Sequence, residues 1–314
     1  PVPHQLTVLQ RVLKAEQVRF LLADEVGLGK TIEAGLIMRE LKIRGLVRRV
    51  LIVVPKSLAT QWKFEMSTHF YETFHLVLPE DIQSLQRIQQ GFIENESDDR
   101  FPNPWEIFDQ VIVTMDAVKP IDKRQGWSPE RVADYNQHRF KDLISAGWDM
   151  VIVDEAHKMG GSVEGIARHQ LGRGLSDCAP YFLMLSATPH QGKTDAFHRL
   201  MSILDEKLFP DQATIQYERV KPFIIRTEKR DAVDINGNPL FTPRTTILHP
   251  ILWEPRHNHQ AMLYKLVTNY VKDGYNRSLK EKKPYVGFLM LLMQRLVVSS
   301  TRAIRWSLER RLEN

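Results

Sequence analysis

Residues 24–31, which read DEVGLGKT, combine two glycines, a lysine and a threonine at the spacing of a phosphate-binding loop. Gly27 and Gly29 would let the backbone approach a phosphate without an intervening side chain. The loop amides and the start of the helix that follows favour an anion. Lys30 would neutralise the β- and γ-phosphates of a nucleotide, and the Thr31 hydroxyl would hold Mg²⁺.

Two carboxylates after a second apolar segment strengthen that interpretation. Met150–Val153 predicts a buried strand, and Asp154 and Glu155 follow it directly. Ligands bind at the carboxyl ends of strands in open α/β sheets. Asp154 would hold the metal ion there, and Glu155 would polarise the water that attacks a γ-phosphate. Asp24 replaces the first glycine of the usual GxxxxGK[ST] pattern, so the loop alone could be a plain turn, but the two acids disfavour that alternative.

The elements that must position these residues follow from the hydrophobic pattern. Through residue 226, short apolar runs alternate with helix-period segments, as in a parallel sheet covered by helices. Strands are predicted at Arg19–Ala23, Arg49–Val54, His75–Leu78, Gln110–Thr114, Met150–Val153, Tyr181–Leu185 and Phe223–Arg226. Helices are predicted at Thr31–Arg44, Ser57–Phe70, Ile82–Gln90, Pro129–Ser145 and Ala196–Leu204. We therefore expect an α/β domain with a mostly parallel central sheet flanked by helices.

The pattern also predicts two parts of the chain. Residues 1–230 would form a nucleotide-binding lobe, with a basic insertion at about residues 119–146 between two core strands. The stretch Thr245–Leu252 reads as extended, and the sequence from Pro255 onward reads as helical. Residues 231–314 are therefore expected to be a linker followed by a helical extension.

Charge and composition narrow the class of protein. The net charge is +5, yet residues 251–314 hold 12 Lys and Arg against 5 Asp and Glu, while residues 1–250 hold 31 against 33. A basic tail suggests contact with a polyanion, and a solvated helical surface is the alternative. Cys178 is the only cysteine, which excludes a disulfide framework and fits a reducing cytoplasm. No apolar run is long enough to span a bilayer, so no membrane partner is expected.

Several motifs together resemble one known family. The DEAH sequence at residues 154–157 and the DEVGLGKT loop resemble motifs II and I of Swi/Snf-type superfamily 2 ATPases, whose loop has the form DExGLGKT. Further segments match in the family's order, namely PHQ at 3–5, VPKSL at 54–58, VT at 113–114, LSATP at 185–189 and FIIR at 223–226. The resemblance covers nearly the whole chain and implies a RecA-like P-loop fold with ATP and Mg²⁺ as cofactors.

The resemblance also implies roles for individual residues. Catalytic roles fall to Lys30, Asp154 and Glu155, and metal binding to Thr31 and Asp154. The nucleotide would be held by Gln5, as the adenine reader, and by Gly27, Leu28, Gly29, Lys30 and Thr31. Coupling of the nucleotide to motif III would pass through His157, Ser186 and Thr188. Nucleic acid would be contacted by Pro55, Lys56, Ser57 and Thr114.

The implied function is ATP hydrolysis that drives translocation on double-stranded DNA without sequence preference. The SAT sequence of motif III is shared with true helicases, so a strand-separating DNA or RNA helicase is an alternative. A nucleotide- and DNA-binding module without turnover is another. The similarity is to bacterial members, which implies a cytoplasmic, nucleoid-associated protein with RNA polymerase or phage-defence components as candidate protein partners. Motifs IV to VI are not found, so we expect part of a longer protein that hydrolyses almost no ATP by itself.

Three further residues or groups have competing interpretations. Trp62 could stack on DNA, but the apolar residues around it favour core packing. Ser57 could hold a phosphate or could be the N-cap of the helix after it. The basic residues between 119 and 141 could contact DNA or form a solvated face, and Cys178 is expected to be buried.

Overall fold

The computed structural model describes residues 1–82, 84, 103–161, 165–189, 192–242, 245–250, 254–281 and 284–313. Its contacts divide the chain into two compact units, Pro1–Pro243 and Arg244–Asn314. Residues 231–242 belong to the first unit, where Ala232 is fully buried. Most of the predicted helix Ile82–Gln90 lies outside the described residues.

The described strands of the first unit form one all-parallel sheet. They are β1 (Arg19–Leu22), β2 (Val50–Val54), β3 (His75–Val77), β4 (Gln110–Thr114), β5 (Met150–Val153), β6 (Tyr181–Leu185) and β7 (Ile224–Ile225). The order across the sheet is β3-β4-β2-β5-β6-β1-β7, with every neighbouring pair parallel. The predicted strands and the α/β fold class are confirmed.

Helices connect the strands and cover both faces of the sheet. In the first unit they are α1 (Pro3–Leu13), α2 (Lys30–Ile43), α3 (Ala59–Phe70), α4 (Met115–Val118), α5 (Pro129–Asn136), α6 (Asp142–Ile144), α7 (Gly165–Asp177), α8 (Thr194–Leu204) and α9 (Tyr217–Val220). A π-helical turn, Gln137–Lys141, joins α5 to α6 and completes most of the predicted helix Pro129–Ser145. The sequence pattern did not predict α1 or α7.

The sheet is buried on both faces because its side chains alternate. In β2, Leu51 and Val53 belong to one core cluster, whereas Val50, Ile52 and Val54 belong to the other. The second cluster is covered by α1, α2 and α3, and the first by α7 and α8. Each fully buried aliphatic side chain contributes roughly 1.5–3 kcal/mol, so these strands form a rigid base for the loops at their carboxyl ends.

The second unit is helical. It contains α10 (Asn258–Lys280), α11 (Pro284–Ser299) and α12 (Thr301–Glu313), as the sequence from Pro255 onward predicts. Its small core is formed by Val267, Val271, Met290, Met293, Val297 and Ile304. Residues 245–250 are in neither helix nor strand. Among the described residues, no helix has the length and apolar character needed to cross a membrane.

Candidate nucleotide-binding site

The loop between β1 and α2 has the backbone of a phosphate-binding loop. Gly27 and Gly29 adopt φ values of 89° and 88°, in the left-handed region that favours glycine. A Cβ on Gly29 would lie 2.6 Å from Nε2 of Gln5, so any side chain there would displace Gln5 as well as strain the backbone. Helix α2 begins at Lys30, directly after the loop. The amides of its first turn therefore stand at the site where an anion is favoured.

The side chain of Lys30 folds back onto the first residues of this loop. Its ammonium donates to the carbonyl oxygens of Asp24, at 2.7 Å, and Glu25, at 3.4 Å. The positive charge of Lys30 also lowers the pKa of Asp154, although desolvation is the larger effect and raises it overall. The structure thus brings the lysine of the loop and the acid after β5 into one electrostatic environment.

Two residues at the start of α1 contact the backbone of the loop at Leu28. Gln5 is buried, its Nε2 donates to the carbonyl of Leu28 at 3.1 Å, and its Oε1 accepts from the amide of Val2 at 3.1 Å. His4 Nε2 also lies 3.0 Å from the Leu28 carbonyl oxygen. Gln5 therefore positions the loop directly, and its predicted contact with adenine stays a prediction.

Asp154 is held in one orientation by two donors. Its Oδ2 accepts from Nε1 of Trp62 at 2.8 Å, and its Oδ1 accepts from the amide of Glu155 at 2.7 Å. Burial raises the pKa of Asp154, and the hydrogen bonds from Trp62 and Glu155 oppose that shift. Trp62 is 2% exposed, as its prediction as a core residue requires, but its bond to Asp154 was not predicted.

Glu155 has an unusual backbone conformation. Its φ of 49° is left-handed, and only one other non-glycine residue of the described chain, Tyr71, has positive φ. Such strain costs about 1–3 kcal/mol and tends to occur at functional sites. Glu155 therefore departs from strand geometry directly after β5, and its carboxylate lies 3.1 Å from Nδ1 of His157.

His157 links the acidic motif to motif III. Its Nδ1 lies 3.1 Å from Ser186 Oγ and 3.1 Å from Glu155 Oε2. Ser186 Oγ in turn accepts from the amide of Thr188 at 3.3 Å. Burial lowers the pKa of His157, whereas the charge of Glu155 raises it, and the net shift is downward. The neutral ring is therefore favoured, and it connects the predicted coupling residues.

A buried acid pair under the loop was not anticipated from the sequence. Asp24 is fully buried and Glu33 is 1% exposed. Desolvation, followed by the charge of Asp24, raises the pKa of Glu33 to about 9. Glu33 is therefore protonated at neutral pH, beside the buried carboxyl of Asp24. Asp24 Oδ1 accepts from the amide of Thr227 at 2.6 Å, so the residue that departs from the usual glycine anchors the loop to the end of β7.

The residues at this edge fit Mg²⁺ and a triphosphate. Mg²⁺ prefers oxygen donors, and Asp154 and the half-exposed Thr31 offer a carboxylate and a hydroxyl. Gly27 and Gly29 present no side chain to a phosphate, and their left-handed backbone favours glycine. Lys30 supplies the cation.

The residues predicted to contact nucleic acid follow the neighbouring strands β2 and β4. Lys56 and Ser57 are exposed, whereas Pro55 and Thr114 are buried. Lys56–Leu58 form a 3-10 turn whose N-cap is Pro55, so the interpretation of Ser57 as an N-cap is wrong. Exposed side chains at this edge are thus contributed by Lys56 and Ser57.

Part of the basic segment between residues 119 and 141 has structural contacts. Arg124 and Arg131 lie over the ring of Trp127, at 4.4 and 4.3 Å from its centroid. Arg139 donates to the carbonyl of Ala117 at 3.0 Å and is half-buried. Arg124 and Arg131 remain exposed and available to a polyanion, but Arg139 belongs to the fold.

The fold is that of a RecA-like α/β domain, in which the DEVGLGKT loop follows β1 and the DEAH sequence follows β5 at the same edge of the sheet. The chain belongs to the SNF2-related domain family, whose model matches residues 4–296. This confirms the family that the sequence motifs indicate.

Curated relatives are longer than this chain. It is similar to the RNA polymerase-associated protein RapA of Proteus mirabilis, with 37% identity over 212 residues, which is 67% of this chain and 19% of that protein. RapA of Yersinia pestis (strain Pestoides F) is 36% identical over 222 residues, covering 70% of this chain and 20% of that protein. The chain therefore spans about a fifth of the length of these relatives.

Solved structures share the fold. The Sulfolobus solfataricus SWI2/SNF2 ATPase core in complex with dsDNA aligns over 97% of this chain and 59% of that one, with a TM-score of 0.53 and 17% identity. The SWI2/SNF2 ATPase core domain of the same organism aligns over 94% and 56%, with a TM-score of 0.51 and 18% identity. At such identities the likeness supports the fold alone.

Proposed function

We propose that this chain is the ATP-binding lobe of a DNA-dependent ATPase that translocates on double-stranded DNA. The observation that carries the proposal is the placement of Lys30 after β1 and of Asp154 after β5, at the same carboxyl edge of one parallel sheet, together with the His157–Ser186 contact. Membership of the SNF2-related domain family and the similarity to RapA support it.

In this proposal each residue has one task. Lys30 exchanges its carbonyl partners for phosphate oxygens, since a charge-assisted bond to phosphate is the stronger interaction. Thr31 and Asp154 would hold Mg²⁺, which neutralises developing charge on the phosphates. Glu155 orients the attacking water. Trp62 keeps Asp154 in one orientation, as partners of metal ligands commonly do.

Coupling to DNA would run through motif III. A γ-phosphate that draws Glu155 toward a water changes the contact of Glu155 with His157, and His157 also contacts Ser186. Ser186 is fully buried directly after β6, and its hydroxyl accepts from the amide of Thr188, so a change at this hydroxyl would reach the loop that contains Thr188. By this route a bound nucleotide would alter the DNA-facing edge of the sheet.

Nucleotide binding is tested by titrating a fluorescent ATP analogue with Mg²⁺ against the wild type and Lys30→Ala. Hydrogen bonds to charged groups contribute about 1.5–3 kcal/mol, so Lys30→Ala should weaken binding by about tenfold or more. Lys63→Ala, which removes an exposed lysine of α3, serves as the matched control. Equal affinities of wild type and Lys30→Ala would refute the site.

Two measurements test the proposed binding of DNA: the salt dependence of duplex binding, and the type of nucleic acid that stimulates ATP hydrolysis. Duplex binding through Lys56, Ser57 and the exposed arginines 124 and 131 should be weak, indifferent to sequence and strongly salt-dependent, because contacts to phosphates release counterions. A flat salt response would contradict it. Stimulation of ATP hydrolysis by single strands rather than duplex DNA would favour the helicase alternative.

We expect this chain alone to bind nucleotide with little turnover, because an arginine finger contributes about 10³–10⁵ in rate and the resemblance assigns it to motif VI.

RNA polymerase is the protein partner that the similarity to RapA suggests, since those relatives are named as RNA polymerase-associated. Binding of the chain to purified polymerase, measured by pull-down with and without DNA, tests that suggestion.

A further inference from the structure

The segment that follows β7 is bonded to the first residues of the phosphate loop. The amide of Thr227 donates to Asp24 Oδ1 at 2.6 Å, and the amide of Lys229 donates to Glu25 Oε2 at 2.5 Å. The amide of Glu25 donates back to the carbonyl of Thr227 at 3.2 Å. Two acidic side chains of the loop therefore fix the backbone of residues 227–229 against it.

Lys229 extends its side chain over the loop itself. A Cβ placed on Gly27 would lie 3.8 Å from both Cε and Nζ of Lys229, which is ordinary van der Waals contact. The ring of Phe241 lies on the lysine as well, with its centroid 5.3 Å from Nζ. The ammonium is thus held between a loop glycine and an aromatic ring, an arrangement that keeps the cation in place without neutralising it.

The two arginines next to Lys229 differ from it in their ion pairs. Arg226 and Arg230 both approach Glu228, with N···O distances of 3.8 and 2.8 Å. Lys229 makes no ion pair with any carboxylate of the described residues. Of these three basic residues, Lys229 is the one whose charge remains available for an anionic ligand at the loop.

We propose that Lys229 is a second phosphate-binding cation, which contacts the phosphates of a nucleotide bound at residues 27–31. The inference rests on the proposed function, since it needs a nucleotide in that loop. Nζ of Lys229 lies 3.8 Å from the position that a Cβ on Gly27 would occupy, so a small rotation of the lysine stem would bring the ammonium to a phosphate seated on the same loop. The second cation comes from the segment that leaves the sheet rather than from the P-loop motif.

One consequence concerns the segment itself. A phosphate that binds Lys229 also restrains residues 227–231, which lead from β7 into the buried Ala232. A bound nucleotide would therefore reduce the mobility of residues 227–231 without any contact from motif III. Hydrogen exchange at the Thr227 and Lys229 amides should slow when ATP is bound.

The test compares charge-removing and charge-keeping variants of the 314-residue chain. Lys229→Met and Lys229→Gln remove the charge but keep most of the stem, and Lys229→Arg keeps the charge. Arg230→Met is the matched control, since Arg230 is largely exposed and directed to Glu228. Affinity for a fluorescent ATP analogue with Mg²⁺ is measured for each variant, with Lys30→Ala in parallel and thermal unfolding as a check of folding.

Both neutral variants should weaken ATP binding by about tenfold, whereas Lys229→Arg should retain most of the affinity and Arg230→Met should lie within twofold of the wild type. If the neutral variants bind within twofold of the wild type while Lys30→Ala loses tenfold, Lys229 has no phosphate contact and the nucleotide site stands. If the wild type does not bind the analogue, or Lys30→Ala binds equally well, the proposed function fails and this inference fails with it.

Discussion

Replacing Trp62 by phenylalanine should weaken Mg²⁺-dependent nucleotide binding although Trp62 lies in the core. The change removes the Nε1–H donor that holds Asp154 Oδ2 at 2.8 Å and keeps an aromatic ring. Asp154 would retain the amide of Glu155 as a donor to its other oxygen. The carboxylate could then rotate away from the orientation in which it would hold the metal ion.

Two independent estimates give a similar magnitude. Hydrogen bonds to charged groups contribute about 1.5–3 kcal/mol. Loss of a partner that orients a metal ligand typically costs about 10–100-fold in metal affinity, which is roughly 1.4–2.7 kcal/mol at 1.36 kcal/mol per decade. We therefore expect the half-saturating Mg²⁺ concentration to rise by at least about tenfold in Trp62→Phe.

The assay titrates Mg²⁺ at a fixed concentration of a fluorescent ATP analogue. Trp148→Phe is the matched control, because Trp148 is also 2% exposed and its Nε1 donates at 2.8 Å, but to the carbonyl of Leu143. Both variants should lose stability in urea, since each leaves a buried acceptor without its donor and a void in the core. Only Trp62→Phe should change the Mg²⁺ dependence. A folded Trp62→Phe protein with the Mg²⁺ midpoint of the wild type would refute the role assigned to this bond.

Three other predictions follow from the same loop and from the thiol. Desolvation raises the pKa of Glu33 to about 9 in the folded chain, far above that of an unfolded carboxyl. The contribution of protonated Glu33 to stability is therefore complete at low pH and is lost as pH rises toward 9. Glu33→Gln should stabilise the chain by about 1 kcal/mol or more at pH 8, with a much smaller difference at pH 5, as measured by urea unfolding. Gly29→Ala should cost about 1–2 kcal/mol for the left-handed backbone alone and weaken nucleotide binding, because the new Cβ would displace Gln5 Nε2, 2.6 Å away, from its bond to the loop carbonyl of Leu28; an unchanged unfolding midpoint would contradict it. Cys178 is half-buried rather than buried as expected, and desolvation raises the pKa of its thiol to about 12, so at pH 8 the thiol should react with a disulfide reagent more slowly in the native chain than after unfolding; equal rates would contradict this.

The strands were predictable because most of them are buried on both faces. Residues such as Val50–Val54 carry apolar side chains at every position, and no register or partner needs to be known to recognise that pattern. The phosphate loop and the acidic motif were recognisable for a different reason, since their chemistry requires particular residues at fixed spacing.

Helix α7 shows what a local pattern cannot reveal. Gly172 and Gly174 lower the helix propensity of this stretch, yet both are needed for close packing. A Cβ on Gly172 would lie 2.7 Å from Ile203 Cδ1, and one on Gly174 would lie 2.8 Å from Phe140 Cζ. Tertiary contacts therefore override the propensity, and those contacts are invisible until the neighbouring elements are placed.

Two hydrogen bonds of the site could not be predicted because they join residues far apart in the sequence. Trp62 and Asp154 are 92 positions apart, and Asp24 and Thr227 are 203 positions apart. The sequence shows Trp62 only as an apolar neighbour and Asp24 only as a departure from a glycine. Their roles depend on where the first turn of α3 and the end of β7 lie in space, which spacing along the chain does not encode.

The place of β1 in the sheet has a consequence for synthesis on the ribosome. Its partners are β6, through Phe182–Leu185, and β7, through Ile224 and Ile225, so neither neighbour exists when the phosphate loop leaves the exit tunnel. At about 5–20 residues per second, roughly 10–40 s separate the emergence of β1 from that of β7. During that interval Phe20, Leu21 and Leu22 lack the strands that bury them. A nucleotide bound at this loop, as we propose, would therefore stabilise β1 only after nearly all of the first unit has been made.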